Sequence, residues 1–299
     1  MRRYKTKVGQ QLIYESYERL LASWNVAWAE QDIMTTYGTT HVITAGSPAD
    51  PVLLLLHGTA DNSAMMWVYN IEQLSERFYV IAIDAIGGSG KSEPNERYAN
   101  EFDQTAWLDE LLDAMKIETA CVAGVSYGAY LAYHYAIWRP ARVMKIVCMA
   151  GRVASSQFEV MSKMIKAFLP EALFPTEASC RRLLRKLSAN CAPFENNPDL
   201  MNHWHYLLKH FNNKSMMKHA ITIFTDEQLE SIRGKALFLI GEQDILSNYP
   251  KAIRKLEQIR LNYKIIRHAG HAINHEQPEK VNREIIEYLR KETDGEAER

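Results

Sequence analysis

Three polar side chains, far apart in the chain, have the types and settings for acyl-transfer chemistry. Ser126 lies in Gly124-Val125-Ser126-Tyr127-Gly128, between a short apolar run at 120–123 and a stretch with helical apolar spacing. That order reads as strand, tight turn and helix, with a hydroxyl at the bend. Glycines two residues either side keep β-carbons out of a turn that brings strand and helix close together. The turn also aims the serine oxygen away from the sheet. It sets the Tyr127 amide at a helix start, where unpaired N–H groups and the dipole favour negative charge. The pentapeptide alone arises by chance in roughly one chain in ten of this length. Its setting and its partners therefore carry the argument against a plain glycine-rich turn with a surface serine.

A serine hydroxyl is a poor nucleophile until a base takes its proton. His271, in Arg267-His268-Ala269-Gly270-His271, directly follows an expected strand. Loops at the C-terminal ends of strands are where an open α/β sheet exposes its chemistry. The imidazole there is placed to take the Ser126 proton and later return it to a leaving group. His268 and His275 compete for the role, but Gly270 permits a sharp approach and favours His271. The histidine in turn requires an acid to fix its tautomer. Asp244, in Leu239-Ile240-Gly241-Glu242-Gln243-Asp244, also follows a strand and is preferred over Glu242 and Asp84, although a helix N-cap or loop carboxylate would look the same. The resulting order, Ser126, Asp244, His271, is the one expected for a serine elbow on such a sheet. An attacked carbonyl becomes an oxyanion and needs donors already aimed at it. The Tyr127 amide is one, and the loop His57-Gly58-Thr59 offers the Thr59 amide as the other. His57 itself reads as structural.

The scaffold must hold these groups together. At 299 residues the chain can bury a large core, and 47% hydrophobic and 24% charged residues are ordinary for a globular enzyme. A net charge of −1 leaves no global footprint for nucleic acid or a membrane surface. The basic start, Met1-Arg2-Arg3, lacks the apolar core of a signal peptide, and no apolar run approaches a membrane span. Four cysteines without metal or redox spacing point to a reducing, cytoplasmic setting without disulfides.

Apolar spacing predicts an amphipathic helix over 10–24, then two short strands at 33–36 and 40–44 joined by a turn at Tyr37-Gly38-Thr39. A continuous apolar run at 52–56 suits a strand buried on both faces. A helix near 63–76, a strand at 79–84, a helix at 103–115, the Ser126 strand and helix, and a strand at 143–149 follow. Strands return at 236–240 and 263–266. This alternation predicts a mostly parallel sheet with helices on both faces. Residues 152–233 instead carry helical spacing throughout, with Met161, Met164, Phe168, Leu183, Leu184, Leu187, Trp204, Leu207, Met216 and Met217. They read as a helical insertion above the sheet, most of whose apolar residues pack its own small core. The charged tail from Thr293 is expected to fray.

Two features invite other readings. Ala85-Ile86-Gly87-Gly88-Ser89-Gly90-Lys91-Ser92 nearly spells a phosphate-binding loop after a strand. Such a loop requires Lys91 and Ser92 to open a helix, and the acidic, unpatterned sequence to Asn100 offers none. His203, His205, His210 and His219 cluster in the insertion, but no carboxylate or cysteine pattern joins them. They read as surface or packing residues, and neither a metal nor a cofactor is expected.

With His57-Gly58, Asp84 through Ser92, the 124–128 elbow, the Gly241 to Asp244 run, and Gly270-His271 with Glu276-Gln277-Pro278 in place, the chain resembles an α/β hydrolase over nearly its full length. The resemblance implies a doubly wound, mostly parallel sheet of about eight strands, the second antiparallel, with a cap inserted after the sixth. The core would comprise 1–151 and 234–299, with a helical extension at 1–25, and 152–233 would form the cap or lid. It carries the nucleophile onto Ser126, the acid onto Asp244, the base onto His271, and the oxyanion amides onto Thr59 and Tyr127. The N-terminal extension and Phe224-Thr225-Asp226-Glu227 are similar to bacterial carboxylesterases of the naproxen-esterase type. The absence of a His-Gly-Gly-Gly run argues against the hormone-sensitive-lipase-like branch. A serine in place of aspartate argues against dehalogenase or epoxide hydrolase chemistry. The expected activity is cleavage of small hydrophobic carboxylic esters through an acyl-enzyme. A carbon–carbon bond hydrolase or thioesterase using the same residues is the enzymatic alternative, and a non-catalytic small-molecule receptor the alternative of another class. Oligomeric state is not legible.

Overall fold

The computed structural model describes residues 2–151, 153, 162, 165–166, 168–169, 171, 173–247 and 249–291. Its strands are β1 (Trp28–Thr35), β2 (Gly38–Ala45), β3 (Val52–Leu56), β4 (Tyr79–Ile83), β5 (Glu93–Pro94), β6 (Ala120–Val125), β7 (Val143–Met149), β8 (Ala236–Gly241) and β9 (Asn262–Ile266). Eight of them lie in the order β1-β2-β4-β3-β6-β7-β8-β9, and the two-residue β5 pairs with the start of β2. β2 runs antiparallel to both neighbours, and every pairing from β4 to β9 is parallel. The expected mostly parallel sheet of about eight strands, with an antiparallel second strand, is therefore present.

The sequence explains which strands are central. Leu53 to Leu56 of β3 and all of β6 are buried, as continuous apolar runs covered on both faces must be. Each leucine and valine among them contributes about 1.5–3 kcal/mol on burial. At the edge, β1 leaves Ala29, Gln31, Asp32 and Met34 exposed and half-buries Trp28, Glu30 and Ile33, so its apolar pattern is broken. This partial pattern is why β1 is longer than the apolar signal at 33–36. The turn lies at Thr36-Tyr37, with Gly38 and Thr39 already paired in β2. Gly38 sits at φ +126, and a β-carbon there would lie 2.2 Å from the Glu93 carbonyl oxygen.

The N-terminal helix is Lys7–Ala22, capped by the Thr6 side chain and earlier than the 10–24 spacing indicated. Its buried face carries Ile13, Tyr17, Leu20 and Leu21. The helix expected over 63–76 is two short helices, Ser63–Met66 and Ile71–Ser75. A helix does follow the phosphate-loop lookalike, contrary to expectation, at Glu96–Asn100. It is capped by Asn95 and separated from Ser92 by β5, so Lys91 and Ser92 do not open it. The Lys91 amide instead donates to Asp84, and its ammonium pairs with Glu18 and Glu30.

Between β7 and β8 the described residues hold no strand. They form helices Glu177–Leu187, Ala192–Glu195, Pro198–His210 and Asp226–Glu230, with a 3-10 turn at Asn213–Met216. Leu183 and Leu187 make a small separate core with Leu246, and Phe168, Trp204 and Leu208 pack against it. Leu184, Leu207 and Met216 join the main core instead, while Met217 is exposed. Met161, Met164 and the tail from Thr293 lie outside the described residues.

Candidate active site

Ser126 ends β6 and precedes the helix Tyr127–Trp138. Its φ of 55 and ψ of −112 place it in a conformation that L-residues rarely adopt. The neighbours show why this turn demands glycine. A β-carbon on Gly124 would lie 2.2 Å from the Gly128 carbonyl oxygen, and one on Gly128 would lie 2.0 Å from that of Leu56. The Ser126 amide donates to the Met149 carbonyl at 2.9 Å, which ties the bend to β7. Strain held in this way leaves the hydroxyl proud of the sheet and off the helix cap.

The structure brings the three residues singled out in sequence together. His271 Nε2 lies 3.0 Å from Ser126 Oγ, and His271 Nδ1 lies 3.0 and 3.1 Å from the two oxygens of Asp244. With the ring proton on Nδ1 donated to the carboxylate, Nε2 presents a lone pair to the serine O–H. Asp244 is buried, which by itself would push its carboxyl up. The facing His271 and the amides of Leu246 and Ser247 hold it below its ordinary range. Burial works against a charged His271 as well, but Asp244, with Asp61 and Glu276 adding to it, offsets the loss and the imidazole lies above its ordinary value. A relay from buried carboxylate through imidazole to hydroxyl is arranged to withdraw a proton from Ser126.

The rivals are engaged elsewhere. Asp84 accepts from the Ser63 and Lys91 amides and the Tyr17 hydroxyl, and Glu242 is exposed. His275 Nε2 donates to the Met65 carbonyl at 3.0 Å, and His268 is exposed. His57 donates from Nδ1 to the Gly58 carbonyl and accepts the Ala85 amide at Nε2, so it braces its loop as expected. That loop lies against Ser126: a β-carbon on Gly58 would lie 3.5 Å from Ser126 Cβ. Among the described residues, no acceptor takes the Thr59 or Tyr127 amide.

A second serine–histidine contact, Ser16 Oγ to His203 Nδ1 at 2.7 Å, does not repeat the arrangement. Asn62 donates to His203 Nε2, so the ring proton sits on Nδ1 and points at Ser16. The hydroxyl itself lies within reach of the Leu12 and Ile13 carbonyls. Desolvation lowers His203 to about 3, so it is a buried neutral strut between helices.

Sequence reasoning missed the groups that hold this site in place. Glu276 accepts the Gly270 amide with one oxygen and the Ala189 and Asn190 amides with the other, clamping the His271 loop to the insertion. The Tyr127 hydroxyl lies 2.8 Å from both Gln104 Oε1 and His219 Nδ1, and His219 Nε2 donates to the Ile86 carbonyl. His219 is thus no surface residue; desolvation lowers it to about 4. Asp61, in the loop after β3, stands beside Gly58 and bears electrostatically on His271. Glu276 is visible in sequence only as part of a family-like run, and Asp61 and His219 carry no spacing signal at all.

The profile of the α/β hydrolase fold matches residues 51–278, which is most of the sequence and includes all three members of the relay. The chain is an α/β hydrolase. This hydrolase is 26% identical to carboxylesterase YbfK of Bacillus subtilis over 282 residues, covering 92% of this chain and 93% of the relative. It is 27% identical to a second Bacillus subtilis protein, described as an uncharacterized carboxylesterase, over 94% of this chain and 93% of the relative. Among solved structures it is similar to the naproxen esterase of Bacillus subtilis, with a TM-score of 0.82 at 23% identity, covering 95% of this chain and 99% of that one. A meta-cleavage product hydrolase superposes with a TM-score of 0.70 at 22% identity, over 87% of this chain and 97% of that one, a likeness of fold. Among the described residues of the hydrolase, no group of three His, Cys, Asp or Glu is set to hold a metal, and no helix is long and apolar enough to cross a membrane.

Proposed function

We propose that this α/β hydrolase is a carboxylesterase that cleaves small hydrophobic carboxylic esters through an acyl-enzyme. The observation that carries the reading is the relay Asp244–His271–Ser126, ending on a hydroxyl at the start of a helix. Ser126 Oγ attacks the ester carbonyl carbon as its proton passes to His271 Nε2, and Asp244 stabilises the imidazolium. The oxyanion accepts from the free amides of Thr59 and Tyr127. Collapse breaks the bond to the alkoxy oxygen, which leaves as an alcohol with the proton from His271. Water then attacks the acyl-serine, again giving its proton to His271, and frees the acid. The ester-cleaving relatives over nine-tenths of the chain favour this bond over a thioester or a carbon–carbon bond.

The core comprises 1–151 and 234–299, and 152–233 serves as a cap whose apolar residues favour a hydrophobic acyl or alcohol group. Four cysteines present as free thiols support a cytoplasmic setting. A chromogenic short-chain aryl ester tests the activity, with an acyl thioester of the same chain as comparison. Ser126→Ala is expected to reduce turnover by at least 1,000-fold and to abolish labelling by a fluorophosphonate, with the circular dichroism spectrum unchanged. Undiminished turnover in that variant ends the proposal.

A further inference from the structure

Around Ser126 most of the walls are closed: Leu56, His57, Gly58, Val125 and Tyr127 are buried. Thr59, Ala60, Asp61, Ser126, His271 and Ala272 are only half-buried, and this small set is the accessible part of the segments that carry the relay and its loops. Asp61 is its one carboxylate. A β-carbon built on Gly58 would lie 2.9 Å from Asp61 Oδ2 and 3.5 Å from Ser126 Cβ, so the carboxyl and the nucleophile flank the same point. Asp61 has no role in holding the loop through its side chain. Its backbone carbonyl accepts from Ser89 Oγ, its amide faces the Gly58 carbonyl, and among the described residues no donor reaches its carboxyl oxygens.

We infer that Asp61 is a specificity-determining residue that selects esters carrying a cationic group near the scissile carbonyl. This rests on the esterase reading above. A carboxylate without a partner in a poorly hydrated site is unfavourable until a counter-charge arrives, and a substrate ammonium supplies one. The same charge repels a substrate carboxylate placed there. Desolvation raises Asp61 to about 7, with His271 acting in the opposite sense, so the carboxyl is held ready to respond to a charge beside it. His271 is the one titratable neighbour that acts on it appreciably, and it reaches Asp61 from the loop after β9.

The test compares isosteric pairs that differ in charge. Acetylcholine against 3,3-dimethylbutyl acetate places the charge on the alcohol side. The ethyl ester of trimethylglycine against ethyl 3,3-dimethylbutanoate places it on the acyl side. For each pair, the ratio of kcat/KM for the cationic over the neutral ester is measured at pH 8 in the wild type, Asp61→Asn and Asp61→Ser. Comparing the ratio between proteins cancels the intrinsic reactivity of the esters. We expect the ratio to fall about tenfold in both variants for at least one pair, and the wild-type preference to weaken with added salt. Equal ratios in all three proteins for both pairs overturn the role of Asp61 while leaving the esterase reading standing. A wild type that turns over the chromogenic aryl ester but neither cationic ester overturns the cationic preference alone, and one that turns over neither the aryl ester nor any of the four overturns the esterase reading.

Discussion

The amide of His271 donates to the carbonyl of Leu187 at 2.6 Å, so the loop carrying the imidazole hangs from the last turn of a helix in the insertion. Gly270 makes this approach possible, since a β-carbon there would lie 2.3 Å from the same carbonyl oxygen. Three further amides, on both sides of the junction, converge on Glu276.

Loss of that carboxylate should therefore be felt at the imidazole. Glu276→Ala leaves three amides without an acceptor and is expected to destabilise the fold by roughly 3 kcal/mol. With His271 less firmly held, kcat should fall by about tenfold or more, and KM should change less. Glu276→Gln keeps one acceptor oxygen and should recover part of both losses. Thermal melts with steady-state kinetics on one chromogenic ester check this, and a Glu276→Ala protein with wild-type kcat would contradict it.

The pH profile should carry the mark of two charges near one imidazole. In the proposed mechanism His271 acts as a base only when neutral, and its facing carboxylates hold it above its ordinary value of 6.5. Activity is thus expected to rise with pH along an acid limb centred above that value. Asp61 stabilises the imidazolium, so Asp61→Asn should move the limb to lower pH. Because the two groups interact, the profile reports values belonging to the pair. A limb that stays in place in Asp61→Asn would show that the two side chains do not sense one another.

Asp84 makes a separate prediction about stability. It is buried and accepts three hydrogen bonds, from Ser63 N–H at 2.9 Å, Lys91 N–H at 2.8 Å and the Tyr17 hydroxyl at 2.9 Å. Burial opposes its charge, but His41, His57 and the two amides hold its carboxyl below the ordinary range. A depressed folded value means that its contribution is present above about pH 4 and is lost as pH falls through the folded value. Asp84→Ala is expected to destabilise by about 3 kcal/mol or more at pH 7 and by less at pH 3. Denaturant titrations at the two pH values check it, and an equal loss at both would refute the electrostatic account.

The residues of the relay were legible because each is announced locally. The elbow lies between glycines that only a tight strand-to-helix turn requires, and Asp244 and His271 each follow a strand whose apolar run is plain. The central strands were legible for the same reason, being buried on both faces. β1 was only partly so, because Glu30, Gln31 and Asp32 break its apolar run, Gln31 and Asp32 being exposed and Glu30 paired with Lys91 and His41. The helix Glu96–Asn100 owes its existence to the Asn95 cap and to the burial of Tyr98, neither of which gives a period in so short a segment. Asp61, Glu276 and His219 act through contacts between loops distant in sequence. No spacing rule encodes such meetings; they follow from where the sheet sets the loops down.

The insertion is fastened to the body at many places, among them Leu187 to Asn190 on the histidine loop, His203 between Ser16 and Asn62, Ser215 on the Gly87 carbonyl, and His219 between the elbow helix and the Ile86 carbonyl. A segment bolted at so many points does not swing as a unit. If 152–233 is the cap proposed above, turnover should answer to the girth of the ester far more than to the viscosity of the solvent.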